Sequence, residues 1–133
     1  DPNPLPDELE RLAAEVVDTL VEVHRHLGPG HLESTYEEAV CHELSLRGIP
    51  FQRQAPMLVR YKGKTVGRGF VDLLIAGRLV LELKAVELLT ATHAAQAASY
   101  LAALDPQLAL VANFNTPLLK DGLRRVIRSR VAR

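Results

Sequence analysis

The sequence predicts an α/β domain in which helices flank a mixed central sheet, with elements in the order ααβββαβα. Two observations carry that prediction. Up to residue 47 the apolar side chains recur at helical three- and four-residue steps, whereas from residue 51 they alternate as in strands. An alanine-rich helical stretch then separates a hairpin-like pair of strands from one further apolar strand, which implies a crossover and a sheet of mixed direction.

With 133 residues, 47% hydrophobic and 24% charged, the chain has the size and composition of one compact domain over residues 1–133, with an additional N-terminal helix. That balance excludes disordered, collagen-like and coiled-coil classes. The longest apolar runs are five residues or so, such as Leu108 to Ala112, against the roughly 18 that a spanning helix needs, so no membrane segment is expected. Cys41 has no second cysteine to pair with, and no charged-then-apolar leader precedes the first helix, so a reducing, cytoplasmic setting is expected.

Leu9, Leu12, Ala13, Val16, Leu20, Val23 and Leu27 form one stripe of the first helix, and Asp7 with Glu10 has capping-box spacing at its start. Gly28-Pro29-Gly30 ends it, and a second helix runs from about Leu32 to Arg47 with Gly48 as its C-terminal glycine. Residues 51–61 read as a strand, in which Pro56 marks an edge or a bulge, and Lys62-Gly63-Lys64 turns the chain. Gly69 to Ile75 and Leu79 to Ala85 form a hairpin across Ala76-Gly77-Arg78. Thr92 to Leu104 is a helix and Leu108 to Phe114 a buried strand. Thr116-Pro117 is expected to start a last helix with Leu119, Leu123, Val126 and Ile127 inward.

A net charge of zero conceals segregation. Residues 1–49 hold 3 basic and 11 acidic groups, residues 50–68 hold 5 and none, and residues 117–133 hold 6 and 1. Arg53, Arg60, Lys62, Lys64 and Arg68, with Arg124, Arg125, Arg128 and Arg130, are therefore candidates for phosphate contact, or else solvated faces of a neutral protein. Most of the six aromatic residues read as inward, so no base-stacking surface is expected.

The most informative stretch is Asp72 to Lys84. Glu82 and Lys84 are two apart on a strand and share a face. Asp72 joins them across the hairpin only if the register centres on Gly77, which requires an odd loop such as Ala76 to Arg78 with a positive φ within it. A two-residue turn would set Asp72 against Leu81. In the odd register two carboxylates converge where a hard cation such as Mg²⁺ or Mn²⁺ is held through oxygen, with lysine beside it. A salt-bridge cluster on a solvated sheet face has the same spacing. The histidines show no ligand spacing: His24 and His26 diverge on a helix, and only His93, three before Gln96, approaches the same region.

Asp72 followed by Glu82-Leu83-Lys84 resembles the PD-(D/E)xK nuclease signature, with Val71 in place of its proline, and Gly30-His31-Leu32-Glu33-Ser34-Thr35-Tyr36 is similar to the pattern that names the GxxExxY family. Gln54-Ala55-Pro56, Tyr61-Lys62-Gly63, Asn113-Phe114, and Gln96 to Tyr100 in the QxxxY form of phage-exonuclease and RecB-like nucleases extend the resemblance over about residues 24–128. It implies a restriction-endonuclease-like core and a metal-dependent nuclease, with DNA ahead of RNA as substrate and Mg²⁺, or Mn²⁺ in its place, as cofactor. In this resemblance Asp72, Glu82 and the Leu83 carbonyl hold metal, Lys84 positions the attacking water, and Glu33 and Gln96 complete the catalytic set. Tyr100, Arg124 and Arg125 are the expected substrate contacts. Without the resemblance, Glu33 reads equally as a residue favoured by a helix N-terminus, and Gln96 and Tyr100 as surface and packing residues. The competing expectations are a catalytically silent module binding nucleic acid or a protein partner, and a subunit of a larger assembly. A homodimer would give this small chain surface for two strands.

Overall fold

The computed structural model describes residues 5–128. Its helices are α1 (Asp7–Leu27), α2 (Glu33–Leu46) and α3 (Ala91–Leu104), and its strands are β1 (Phe51–Tyr61), β2 (Lys64–Ile75), β3 (Leu79–Lys84), β4 (Leu108–Asn113) and β5 (Leu123–Ile127). The strands form one sheet in the order β1-β2-β3-β4-β5. Because α3 carries the chain back across the sheet, β3 and β4 are parallel while every other pair is antiparallel. This is the mixed sheet with helices on both faces that the sequence predicts.

Both faces of β3 and β4 are covered, which explains the apolar runs at residues 79–81 and 108–112. Leu79, Leu81, Leu83, Leu108, Leu110 and Ala112 pack with Leu9, Val16 and Leu20 of α1 and Tyr36, Val40 and Leu44 of α2. Val80, Ala109 and Val111 pack instead with Ala97 and Leu101 of α3. None of the described helices is long and apolar enough to cross a membrane.

The helix ends show where local chemistry held and where it did not. Gly48 (φ 69) follows α2 with its N–H on Ser45 O, and the Ile49 N–H reaches Leu44 O, the two bonds of a Schellman cap. At α1 the expected capping box is absent. The helix starts at Asp7 behind Pro6 with no side-chain cap, so Asp7 and Glu10 lie inside the first turn, where the helix dipole favours them.

The largest correction lies at the end of the chain. Residues expected to form a last helix instead make a 3₁₀ turn, Leu119–Gly122, followed by β5. β5 pairs with β4 from Ala112↔Leu123 to Leu108↔Ile127 and covers an edge that would otherwise stand open. Leu119 still enters the core, but Leu123 packs toward α1 and Val126 toward α3, as neighbouring strand faces require. The chain turns tightly at Gly122, where an added Cβ would stand 2.2 Å from the Asn113 carbonyl oxygen. Arg130 lies outside the described residues.

β2 is also longer than the sequence suggests, starting at Lys64, so that β1 and β2 form a long hairpin about the turn Lys62-Gly63. One rung is missing between Arg53↔Leu73 and Ala55↔Val71, and there Gln54 takes φ 49 opposite Asp72. Across that break the hairpin passes from the layer of α1 and α2, where Leu73 and Ile75 pack, to the layer of α3, where Ala55, Met57 and Val71 pack.

Gly122→Ala is expected to cost several kcal/mol, since backbone must move to admit the methyl, against about 1 kcal/mol for Gly77→Ala, where φ is positive but space is open. Urea unfolding of the two variants checks this; equal midpoints would refute the tight approach at Gly122.

Candidate active site

The β2–β3 hairpin has the odd register. Ile75↔Leu79, Leu74↔Val80 and Leu73↔Leu81 pair around a three-residue loop, with Ala76 (φ 51) and Gly77 (φ 69) both left-handed. Pairing stops one position before Asp72 and Glu82, and their side chains take over. The Asp72 N–H donates to Glu82 Oε2 at 2.6 Å, and the Leu83 N–H donates to Asp72 Oδ2 at 2.8 Å. Each carboxylate thus caps the opposite strand and keeps one oxygen, Asp72 Oδ1 and Glu82 Oε1, uncommitted to backbone. Lys84 Nζ stands 3.9 Å from Glu82 Oε1. The Lys84 carbonyl accepts from Phe114 N on the β4 side. Strand alternation therefore turns the Leu83 carbonyl toward β2 and the gap.

Two supports hold this gap open. The Ala85 N–H donates to Glu33 Oε2 at 3.2 Å, which fixes the first residue of α2 against the end of β3. Asn113 receives the Val86 N–H on Oδ1 and donates from Nδ2 to the Val86 carbonyl, clamping the chain as it leaves β3. Tyr36 sets where α2 begins: its hydroxyl donates to Gly28 O and accepts the His31 N–H, while its ring stacks on Phe114 at 4.3 Å. Tyr36 and Glu33 thus act as one unit, in which the tyrosine fixes the loop from Gly28 to His31 and that loop leads into the glutamate.

A family model described as the PD-(D/E)XK nuclease superfamily matches residues 10–126. The chain belongs to the PD-(D/E)XK nuclease superfamily. Comparisons with curated proteins and with solved structures return no match. In this superfamily nuclease domain Asp72, Glu82, Lys84, Leu83 and Glu33 lie together at the open end of β2 and β3. Tyr100 of α3 is half-buried near the carboxylates, and its phenol is pushed up by burial and by the charges of Glu82 and Asp72. Gln96, one turn earlier, is exposed, and among the described residues its side chain has no hydrogen bond to the carboxylates. His93 accepts the Thr90 N–H and belongs to the cap of α3.

The two arginines expected to act together are separated, because adjacent strand residues face opposite ways. Glu82, Val111 and Arg124 are laterally paired across β3, β4 and β5, so Arg124 shares the Glu82 face of the sheet. Arg125 turns to the other face and forms a two-bond pair with Glu10 of α1. Glu37 was not foreseen. It lies one turn after Glu33, receives Arg53 and Gln54, and its charge helps to raise the pKa of Asp72. The only signal for it is its four-residue spacing from Glu33.

Burial pushes the Asp72 carboxyl above its usual range, against the Leu83 N–H, and Glu37 and Glu33 add to the rise. Glu82 is 4% exposed, and burial raises its pKa to about 7, with Asp72 and Glu33 adding to the rise and the Asp72 N–H and Lys84 opposing it. Clustered acids with raised pKa values favour a cation. Among the described residues no three His, Cys, Asp or Glu side chains converge into a cage. Two carboxylate oxygens and a carbonyl are hard donors that suit a divalent ion retaining much of its water.

A native Glu82 that holds its proton up to about pH 7, against 4.5 for an ordinary glutamate, binds more protons than the unfolded chain between those values. Stability from this group is therefore lost as pH rises through that window. Glu82→Gln, without divalent cations, is expected to raise the Tm by several degrees at pH 8 and by nothing near pH 4. Thermal melts of both proteins at the two pH values check this, and an equal or lower Tm for the variant at pH 8 would count against a buried, destabilising carboxylate.

Proposed function

We propose that this protein hydrolyses nucleic-acid phosphodiesters at the Asp72–Glu82–Lys84 site, with Mg²⁺ or Mn²⁺ as cofactor and DNA ahead of RNA as substrate. The observation that carries the reading is the open rung, where the buried Glu82 and the half-buried Asp72 each keep an oxygen that accepts no strand N–H. Its likeness to the GxxExxY family rests on Gly30, Glu33 and Tyr36, and the contacts of Tyr36 and Glu33 support that likeness by holding Glu33 at the end of β3.

In this reading Asp72 Oδ1, Glu82 Oε1 and the Leu83 carbonyl hold the divalent cation. The bound ion supplies positive charge against the phosphate and lowers the pKa of water beside it. Lys84, held near Glu82, orients the attacking water and offsets charge developing on the phosphate. Glu33 takes part through its second oxygen. Tyr100 and Arg124 contact the substrate on the Glu82 face, and Gln96 reaches it from the exposed side of α3. Arg125 has the weaker claim, since Glu10 already neutralises it. The reading includes a cytoplasmic setting and a homodimer presenting two sites to two strands.

Mn²⁺ titration by calorimetry tests the site without a chosen substrate. Saturable uptake by the wild type and none by Asp72→Asn is expected. Lys84→Ala should bind Mn²⁺ within a few-fold of the wild type yet cleave nucleic acid at least about 100-fold more slowly. If neither protein takes up Mn²⁺, even with an oligonucleotide present, the silent binding module replaces the nuclease reading.

A further inference from the structure

The β1–β2 hairpin runs beyond the sheet that the helices cover, and its uncovered face has an unusual composition. Along β2, Lys64, Val66, Arg68 and Phe70 are all exposed, and Arg68 and Phe70, two residues apart, share one face. On β1, Leu58 opposite Arg68 and Pro56 opposite Phe70 are exposed on that face, with Arg60 two residues beyond Leu58, while the register shift between Val59 and Arg60 puts Tyr61 and its partner Lys64 on the other face beside the turn. Arg60 and Arg68 therefore stand among apolar groups on one face together with the Phe70 ring, 62% exposed, while the Tyr61 ring, 63% exposed, stands with Lys62 and Lys64 at the turn. Tyr36, Phe51, Tyr100 and Phe114 are buried or partly buried, as expected of most aromatic residues, and Tyr61 and Phe70 are the exceptions. Phe70 and Tyr61 occupy strand positions that would be covered in a wider sheet.

Four charges toward the turn of this hairpin are free, whereas several arginines elsewhere are not. Arg53 is paired with Glu37 and Glu38, Arg125 with Glu10, and Arg128 with Asp105. Among the described residues, Arg60, Lys62, Lys64 and Arg68 form no ion pair. The sequence places no acidic residue between Glu43 and Asp72. A second protein surface burying this face would have to neutralise or desolvate four cations beside the rings. A polyanion with stackable bases satisfies both groups at once. Along β2, Phe70 is two residues from Asp72.

We infer that the outer face of the β1–β2 hairpin binds a single-stranded segment of nucleic acid next to the candidate active site. On that face Phe70 stacks on a base and Arg60 and Arg68 follow the phosphates, and Tyr61, Lys62 and Lys64 meet the strand where it passes the turn. The inference rests on the nucleic-acid reading above and adds the strandedness of the substrate and the surface that selects it.

Fluorescence anisotropy of a labelled oligothymidylate, with the full chain and a chelator to prevent cleavage, tests it across a salt series. Phe70→Ala is expected to weaken binding about tenfold with the salt dependence unchanged, and Phe70→Trp to restore it. Lys64→Glu combined with Arg68→Glu is expected to flatten the log–log salt slope by about 1.4, two phosphate contacts at roughly 0.7 each. Wild-type affinity in Phe70→Ala and in the charge variant would overturn the inference. So would equal affinity for a duplex of the same length that Phe70→Ala does not alter, or a dimer in sedimentation that these variants dissociate without changing strand affinity. Mn²⁺ uptake separates the two readings. If uptake depends on Asp72 while hairpin variants bind strands normally, only this inference fails. If Phe70 governs strand binding while Asp72→Asn leaves Mn²⁺ uptake unchanged, only the catalytic reading fails.

Discussion

One absent rung in a β-ladder governs this structure. Where β2 and β3 would exchange another pair of backbone hydrogen bonds, the Asp72 and Glu82 carboxylates accept the strand N–H groups instead. Backbone donors stay satisfied, so parting the strands costs little in hydrogen bonding. Both carboxylates are fixed in orientation by the same bonds. What is not satisfied is charge: the two acids lie close together, Glu82 buried and Asp72 half-buried, with Lys84 near one of them. The geometry stores an electrostatic demand that a cation meets.

The rest of the molecule holds that gap at its width. The three-residue loop sets the register, Glu33 ties α2 to the far end of β3, and Asn113 ties β4 to the chain just beyond. Tyr36 and Phe114, stacked and buried, join those two supports to each other. Several of the short motif residues are therefore structural in their direct contacts. Tyr36, Asn113 and Phe114 touch backbone and each other, and act on the site through Glu33 and the exit of β3.

Much of this was legible in the sequence wherever short-range geometry decides the outcome. The two-residue spacing of Glu82 and Lys84, and the midpoint between Asp72 and Glu82, determine faces and register without knowledge of distant contacts. The mixed sheet followed from the alternation of patterns, and Gly48 marked its cap. The last strand was not legible, because Leu119, Leu123, Val126 and Ile127 fit a helical period as well as Leu123 and Val126 fit opposite strand faces. Pairing with the open edge of β4 decided between them, and nothing local announces that edge. The same misreading put Arg124 and Arg125 on one surface. Exposure of Tyr61 and Phe70 was hidden for a related reason: alternation reveals which side chains share a face, but not whether a helix covers it.

The missing rung also has a meaning in the order of assembly. Asp72 and Glu82 are ten residues apart across a tight loop, whereas Glu33 meets Ala85 from 52 residues away and Glu10 meets Arg125 from 115. Loop-closure entropy grows by about 0.6 kcal/mol for each doubling of length, so the carboxylate pair is the least costly of these contacts to close. Hairpins of this kind form in microseconds, before parallel crossovers such as β3–α3–β4. The two acids therefore meet while still hydrated and screened, and the electrostatic cost of their neighbourhood arrives only later, when α2 and α3 close over them.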